Sequence, residues 1–268
     1  MKILRKFYHL LVLLKRLNIT KTLYFNFKML PFSKAIKLPI FLYGKVYLWN
    51  LSGNLEIPKE IKTGMIRIGY KWFDLWPVSF LPTQIQIVGK LIFNGDCVIS
   101  GGANVNVQSA DGILNIGAYT LIGGGTVVKC LEKIEIGDES RITGNCNIMD
   151  CNMHFVKNID TGVVANYKAP IKIGKSCWIN YGTVVSKGAV IPDYSITSRN
   201  ALVSKDFSEQ GTNLFLVGAP AKPTSSHVQR IFTSEKQREF AEYFKIKQTD
   251  ILQLEPGIEI ETGTREGF

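Results

Sequence analysis

Residues 171 to 203 read IKIGKSCWINYGTVVSKGAVIPDYSITSRNALV, and a series recurs through them at every sixth position: Ile173, Ile179, Val185, Ile191, Thr197, Val203. Four residues after each of the first five stands a small one: Cys177, Thr183, Ala189, Ser195, Ala201. A period of six fits neither an amphipathic helix nor an alternating strand. Repeated this often, it predicts a parallel β-helix in which each hexapeptide is one flat side of a triangular coil. Three hexapeptides, about 18 residues, make one coil, stacked about 4.8 Å above the last by a parallel ladder. The apolar residue points inward, and the small one sits where the wall turns.

The same phase holds upstream. Ile87, Phe93, Ile99 and Val105 are six apart, with Cys97 and Ala103 in the small position. Ile116, Ile122 and Val128 follow, with Thr120 and Thr126, and then Ile136, Ile142 and Ile148, with Ser140 and Cys146. Gly117, Gly123 and Gly137 come directly after an apolar position, where glycine is expected to supply a turn conformation that a side chain resists. The pattern divides the chain into a basic amphipathic extension (1–55), the coils (56–205), and a C-terminal link, helix and loose tail (206–268). The tail section includes Ser234 to Gln237, which has the form of a capping box opening a helix.

Two interruptions break the phase. KWFDLWPVSFLPT, residues 71–83, reads as a hydrophobic cap on an open coil end; stacking on a sugar ring is the alternative. Between Ile148 and Ile173 the spacing is 25 positions, seven more than a coil, and the inserted text holds His154, one of three histidines. His9 and His227 fall outside the repeats, in stretches that read as helical.

Charge is concentrated at one end. Of 268 residues, 32 are Lys or Arg and 22 are Asp or Glu, a net charge of +10. Ten cations, from Lys2 to Lys45, precede the first acid at Glu56, and the remaining 22 balance the 22 acids. The opening MKILRKFYHLLVLLKRLN has an apolar run far below the roughly 20 residues that span a bilayer, and no cleavage site of a signal peptide follows it. Residues 1–37 suit peripheral contact with an anionic membrane surface. Packing of Ile3, Phe7, Leu10, Leu14 and Leu17 on the protein itself is the alternative. No nucleic-acid recognition motif is present. Cys97, Cys146 and Cys177 occupy small positions, Cys130 and Cys151 lie beside the repeats, and the odd count without a framework indicates a reduced, cytoplasmic protein.

Three motifs carry a resemblance. IMDCNMH (Ile148 to His154) is similar to an I-x-D-x-x-x-H segment. CWINYGTVVSKGAVIPDYSI is similar to V-W-I-G-x-x-x-x-I-x-x-G-V-x-I-G-x-x-x-x-I. ALVSKDF with VGAPAK is similar to S-V-V-x-K-D and G-N-P-A-K/R. Together, across residues 85 to 223, they resemble the left-handed β-helix (hexapeptide-repeat) acyltransferases, in the branch of galactoside, maltose, xenobiotic and capsular-polysaccharide O-acetyltransferases. The resemblance implies a left-handed coil, a homotrimer, and acetyl-CoA as co-substrate in a groove between subunits. It implies His154 as catalytic base and Trp178 as the aromatic beside the active site. It places Tyr181 and Arg199 at the pantetheine arm, Ser204 and Lys205 at the nucleotide end, and Lys222 near the phosphates. Asn180, Arg199 and Ala219 depart from the family's Gly, Ala and Asn.

The implied chemistry is acyl transfer from a thioester to an alcohol, limited by the weak nucleophilicity of a neutral hydroxyl. A histidine on that hydroxyl removes its proton as the carbonyl is attacked, and backbone N–H groups stabilise the growing oxyanion. Asp150, four residues before His154, is a candidate to orient the imidazole, with a backbone carbonyl as the alternative. Cys151 has no obvious thiol activator nearby for an acyl-enzyme. No metal is expected, since a zinc β-helix site needs three convergent histidines. The expected function is O-acetylation of a sugar or sugar-lipid acceptor in surface polysaccharide biosynthesis. N-acylation of a nucleotide-linked amino sugar and a catalytically silent scaffold are the alternatives.

Overall fold

A computed structural model of the protein describes residues 16–71, 81–231 and 233–255. Sheet I has nine strands, from Ile40–Leu42 to Ala221–His227; sheet II has seven, from Val46–Leu48 to Leu202–Val203; sheet III has six, from Asn54–Glu56 to Val190–Ile191. The chain visits I, II and III in turn, so each strand pairs in parallel with one a full coil later. Trp178 lies beside Ile196, 18 residues on, the length three hexapeptides give. Arg141 lies beside Trp178, 37 residues on, because the insertion carrying His154 is looped out of that coil.

The six-residue series forms the core. Ile99, Ile122, Ile142 and Ile179 stand in register on successive coils, and none has exposed surface. The small positions are equally buried, and their hydroxyls close the corners. Ser140 Oγ accepts from Cys177 N at 3.1 Å and donates to the Gly174 carbonyl at 2.8 Å. Thr126 Oγ1 donates to the Thr143 carbonyl at 2.8 Å. A larger side chain here would both crowd the corner and leave these buried backbone groups unpaired.

The glycines work differently from expectation. Gly117, Gly123 and Gly137 are not among the residues with positive φ. A Cβ on Gly137 would lie 2.5 Å from the Gly174 carbonyl carbon and the Lys175 amide nitrogen of the next coil. Close approach of coil to coil requires glycine there. The left-handed residue of the same corner comes two positions later and carries a side chain: Tyr119 (φ 55°), Glu139 (61°), Ser176 (51°) and Tyr194 (61°).

The coils also begin earlier than the pattern indicates. Ile40 pairs with Ile66, Val46 with Thr83 and Asn54 with Lys90. The boundary expected at residue 56 therefore falls at the end of the first coil, which keeps only a fragment of the six-residue phase, Ile40 with Val46 and Leu42 with Leu48. Helix α1 (Ile19–Met29) lies on that coil, with α2 (Phe32–Ala35) following. Phe25, Met29, Leu30 and Ala35 join the core. Thr22 Oγ1 accepts from Leu42 N at 3.0 Å, and Asn26 accepts from Ile40 N at 3.2 Å and donates to its carbonyl at 2.7 Å. These bonds occupy the backbone of an edge strand that would otherwise invite another chain. Helix α1 thus covers the edge of the first coil; the cap expected of residues 71–83 falls mostly on residues 72–80, which lie outside the described residues, as do residues 1–15 and His9.

At the other end the coil continues past Lys205. Leu214–Gly218 pairs in parallel with Ile196–Thr197, and Ala221–His227 turns back antiparallel to close sheet I. His227 thus ends a strand, not a helix. Helix α3 (Ser234–Lys247) follows, but Thr233 is its N-cap, with no side-chain capping bond. Among the described residues no helix is long and apolar enough to cross a membrane.

Candidate active site

The insertion after Ile148 is an antiparallel arm. Val156–Lys157 pairs with Val164–Ala165, Asn152 N donates to the Tyr167 carbonyl at 2.7 Å, and Ala169 N donates to the Asp150 carbonyl at 2.9 Å. The Phe155 ring packs edge-on against Tyr167 at 4.7 Å. His154 is exposed at the foot of this arm, just after Met153, whose φ is +63°. The imidazole makes no hydrogen bond among the described residues, so its nitrogens are open to a substrate.

Asp150 does not serve it. The carboxylate is fully buried and accepts from three backbone N–H groups of the preceding coil: Leu131 at 2.9 and 3.1 Å, Glu132 at 2.8 Å and Lys133 at 2.9 Å. An aspartate can turn a corner this way because a carboxylate is acceptor-only and takes several donors at once. Asp150 anchors the root of the arm to the coil, in place of the imidazole partnership considered from sequence.

The thiols are not poised for covalent chemistry. All five cysteines are free and buried. Burial pushes Cys146 up to about 11 and Cys177 up to about 12. Cys97 and Cys130 are also raised by burial, Cys130 further by the Asp150 carboxylate. The Cys151 thiol is raised by burial and lies 3.4 Å from Met153 Sδ. A thiolate is the reactive form, so the native protein should consume almost no aromatic disulfide reagent at mildly alkaline pH, and five equivalents once unfolded. Rapid native modification of Cys151 would show that it is activated after all.

Trp178 projects outward from sheet I between Arg141 and Ile196. The Arg230 guanidinium covers its ring at 4.2 Å, and the indole nitrogen has no hydrogen-bond partner among the described residues. Burial lowers Arg230 to about 9, helped by the like charge of Arg141, which itself donates to the Tyr119 carbonyl at 2.8 Å. Sequence reasoning passed over Arg230 because it lies beyond the repeats, where no periodicity points to a partner.

Tyr181 and Arg199 meet at the corner between sheets I and II, with the guanidinium 5.2 Å from the ring centre. Asn145 donates to the Tyr181 hydroxyl from one coil below. Asn180, the residue in place of a glycine, accepts from Tyr181 N at 2.8 Å through its side-chain oxygen and donates its own backbone N–H to Thr197 Oγ1 at 2.8 Å. Ser204 and Lys205 are exposed just past the last strand of sheet II, and Lys222 is exposed on the closing strand of sheet I opposite Val217. The structure therefore joins Tyr181 to Arg199. Trp178 stands on sheet I, and His154 on the arm that leaves sheet II after Asn147–Met149.

No family model matches the sequence, and no curated protein matches it. Solved structures do. The polySia specific acetyltransferase NeuO is 15% identical with a TM-score of 0.52, the match covering 81% of this chain and 91% of that one. The polysialic acid O-acetyltransferase OatWY is 16% identical with a TM-score of 0.38, covering 76% and 85%. A maltose O-acetyltransferase from Clostridium difficile 630 is 18% identical with a TM-score of 0.31, covering 81% and 89%. The first of these likenesses, with the parallel three-sheet stacking, shows the architecture: the chain is a left-handed parallel β-helix with a basic N-terminal extension and a short C-terminal helix.

Proposed function

We propose that this chain is an O-acetyltransferase that moves an acetyl group from acetyl-CoA to a sugar hydroxyl in surface polysaccharide biosynthesis. The observation that carries the reading is His154, held exposed at the foot of an arm inserted into the coil, within the segment that resembles the family's base motif. The imidazole takes the acceptor proton as the hydroxyl oxygen attacks the thioester carbonyl; the C–O bond forms, the C–S bond breaks, and the CoA thiolate leaves with a proton. Transfer is direct, since the five thiols are buried and held in their protonated form. Tyr181 and Arg199 would meet the pantetheine arm, and Ser204, Lys205 and Lys222 the nucleotide end and its phosphates, as the motif resemblance implies. In a homotrimer, the site would lie between neighbouring chains, with the His154 arm of one beside the Trp178 sheet of the next.

The test is to incubate the protein with acetyl-CoA and free sugars, sugar nucleotides or lipid-linked sugars, reading CoA release and product mass. An alkali-labile product is an ester and supports O-transfer; an alkali-stable amide supports N-acylation of an amino sugar. Neither acetyl-CoA binding nor CoA release with any acceptor would leave only the scaffold reading.

The outer face of α1 favours contact with an anionic lipid surface on the cytoplasmic side. Ile19, Leu23 and Phe27 are a turn apart and 63%, 42% and 46% exposed, and the Phe27 ring lies 5.9 Å from that of Phe32, itself 70% exposed. Arg16, Lys28 and Lys37 are exposed nearby. Each cation near an anionic leaflet contributes about 1 kcal/mol, weakened by salt, and the apolar stripe supplies the rest by shallow insertion. Phe27→Ser with Phe32→Ser should cut sedimentation with phosphatidylserine vesicles at low salt severalfold, without lowering Tm. Sedimentation that ignores lipid charge or these substitutions would sink the membrane reading. Deleting residues 1–37 is the wrong experiment, because it strips the cap from the first coil.

A further inference from the structure

On the first coil an indole faces water. Trp49 is 64% exposed, although a tryptophan gains more from burial than almost any other side chain. Its Nε1 donates to Gln84 Oε1 at 3.1 Å, and the Tyr47 ring lies 6.1 Å away, so the ring is held in place before any ligand arrives. Trp49, Asn50 and Ser52 form one side of an open cleft of about 580 Å³, with Tyr24 and Lys28 of α1 and Gln86 of the next coil on the others. That volume takes a drug-sized ligand, which for a saccharide means a short run of rings.

The lining selects a chemistry. A sugar ring has a face of C–H groups, drawn to the negative face of an aromatic π-system, and a rim of hydroxyls that both donate and accept. Amides and a hydroxyl, as in Asn50, Gln86 and Ser52, match such a rim. Lys28 lines the cleft and, among the described residues, no carboxylate does. Lys21 and Lys45 each stand 5.7 Å from the Tyr47 ring centre, so the field around the cleft favours an anionic ligand. A polynucleotide would stack on the same indole but needs cations along its track. Here the wall continues with amides: Gln84 stands beside Asn104 and Gln86 beside Asn106. Asn106 is 7% exposed, and its amide oxygen has no hydrogen-bond partner among the described residues.

Position supplies the function. The cleft opens at sheet II, and four strands further along the same sheet Asn147–Met149 leads into the arm that carries His154. Four strand spacings are about 19 Å. We propose that this cleft binds saccharide units of an anionic polymeric acceptor, several rings away from the unit that His154 serves. The inference rests on the sugar-acceptor reading for its purpose, while the binding it asserts is independent of turnover.

The experiment is equilibrium binding, without acetyl-CoA, to immobilised acidic and neutral oligosaccharides of graded length. The wild-type chain should hold the longer acidic members, and Trp49→Ala should weaken that binding at least tenfold with an unchanged Tm, as expected for an exposed ring. Lys28→Gln should reduce the preference for acidic over neutral members. Binding that is absent, or equal in wild type and Trp49→Ala, overturns the proposal, as does equal affinity for a single-stranded oligonucleotide. If glycans bind through Trp49 but acetyl-CoA is never consumed, the cleft stands and the acyltransferase reading falls. If sugars are acetylated while Trp49→Ala binds like wild type, the cleft alone falls.

Discussion

His154→Ala is expected to lower kcat about 10³-fold while leaving acetyl-CoA affinity and Tm unchanged. General base catalysis by a positioned side chain contributes about 10²- to 10⁴-fold, and the base acts only once the acceptor hydroxyl begins its attack, so its loss should appear in the chemical step. Stability should not change, because the imidazole is exposed and makes no hydrogen bond among the described residues. The check is steady-state kinetics beside calorimetric titration of acetyl-CoA. Turnover within tenfold of wild type would remove His154 from the mechanism. A loss of binding equal to the loss of rate would make it a binding residue.

Asp150→Ala should show the opposite signature: a large fall in stability, with activity declining because the arm loses its root. The substitution strands the buried N–H groups of Leu131, Glu132 and Lys133, which the carboxylate now satisfies. Hydrogen bonds to a charged group are worth about 1.5–3 kcal/mol each, and partial relaxation makes the sum smaller than three of them, so a loss of about 3–5 kcal/mol is expected. Chemical denaturation measures it. Asp150→Asn, which keeps one acceptor oxygen and loses the charge, should fall between. An Asp150→Asn protein of wild-type stability whose kcat falls by orders of magnitude would return Asp150 to the role of imidazole partner.

The two residues sit in one motif, IMDCNMH, whose spacing suggests that Asp150 orients the His154 imidazole. His154 is the candidate base by its match to the motif's histidine and its place in an interrupted coil, both one-dimensional properties. The partner of Asp150 lies 17 to 19 residues upstream, on a neighbouring coil, and only stacking brings it within reach. Arg230 and Trp178 illustrate the same limit, since their contact joins a segment outside the repeats to one inside them.

What the sequence determined by itself was the coil: within each block the apolar residue recurring every six, such as Ile116, Ile122 and Val128, and the small residues Thr120 and Thr126 four later, had to be inside, because a hexapeptide with one inward apolar position has no other way to bury it. Tertiary structure decided where the stacking stops. The first coil, Ile40 to Glu56, ends the stack because α1 covers its edge, where Thr22 and Asn26 bond the edge strand. It also decided what the glycines are for. Gly137 is needed because the next coil's backbone passes 2.5 Å from where its Cβ would be, whereas the left-handed turn falls to Glu139, at φ 61°. A contact between stacked coils depends on distance in space, and the order of residues along one coil does not record it.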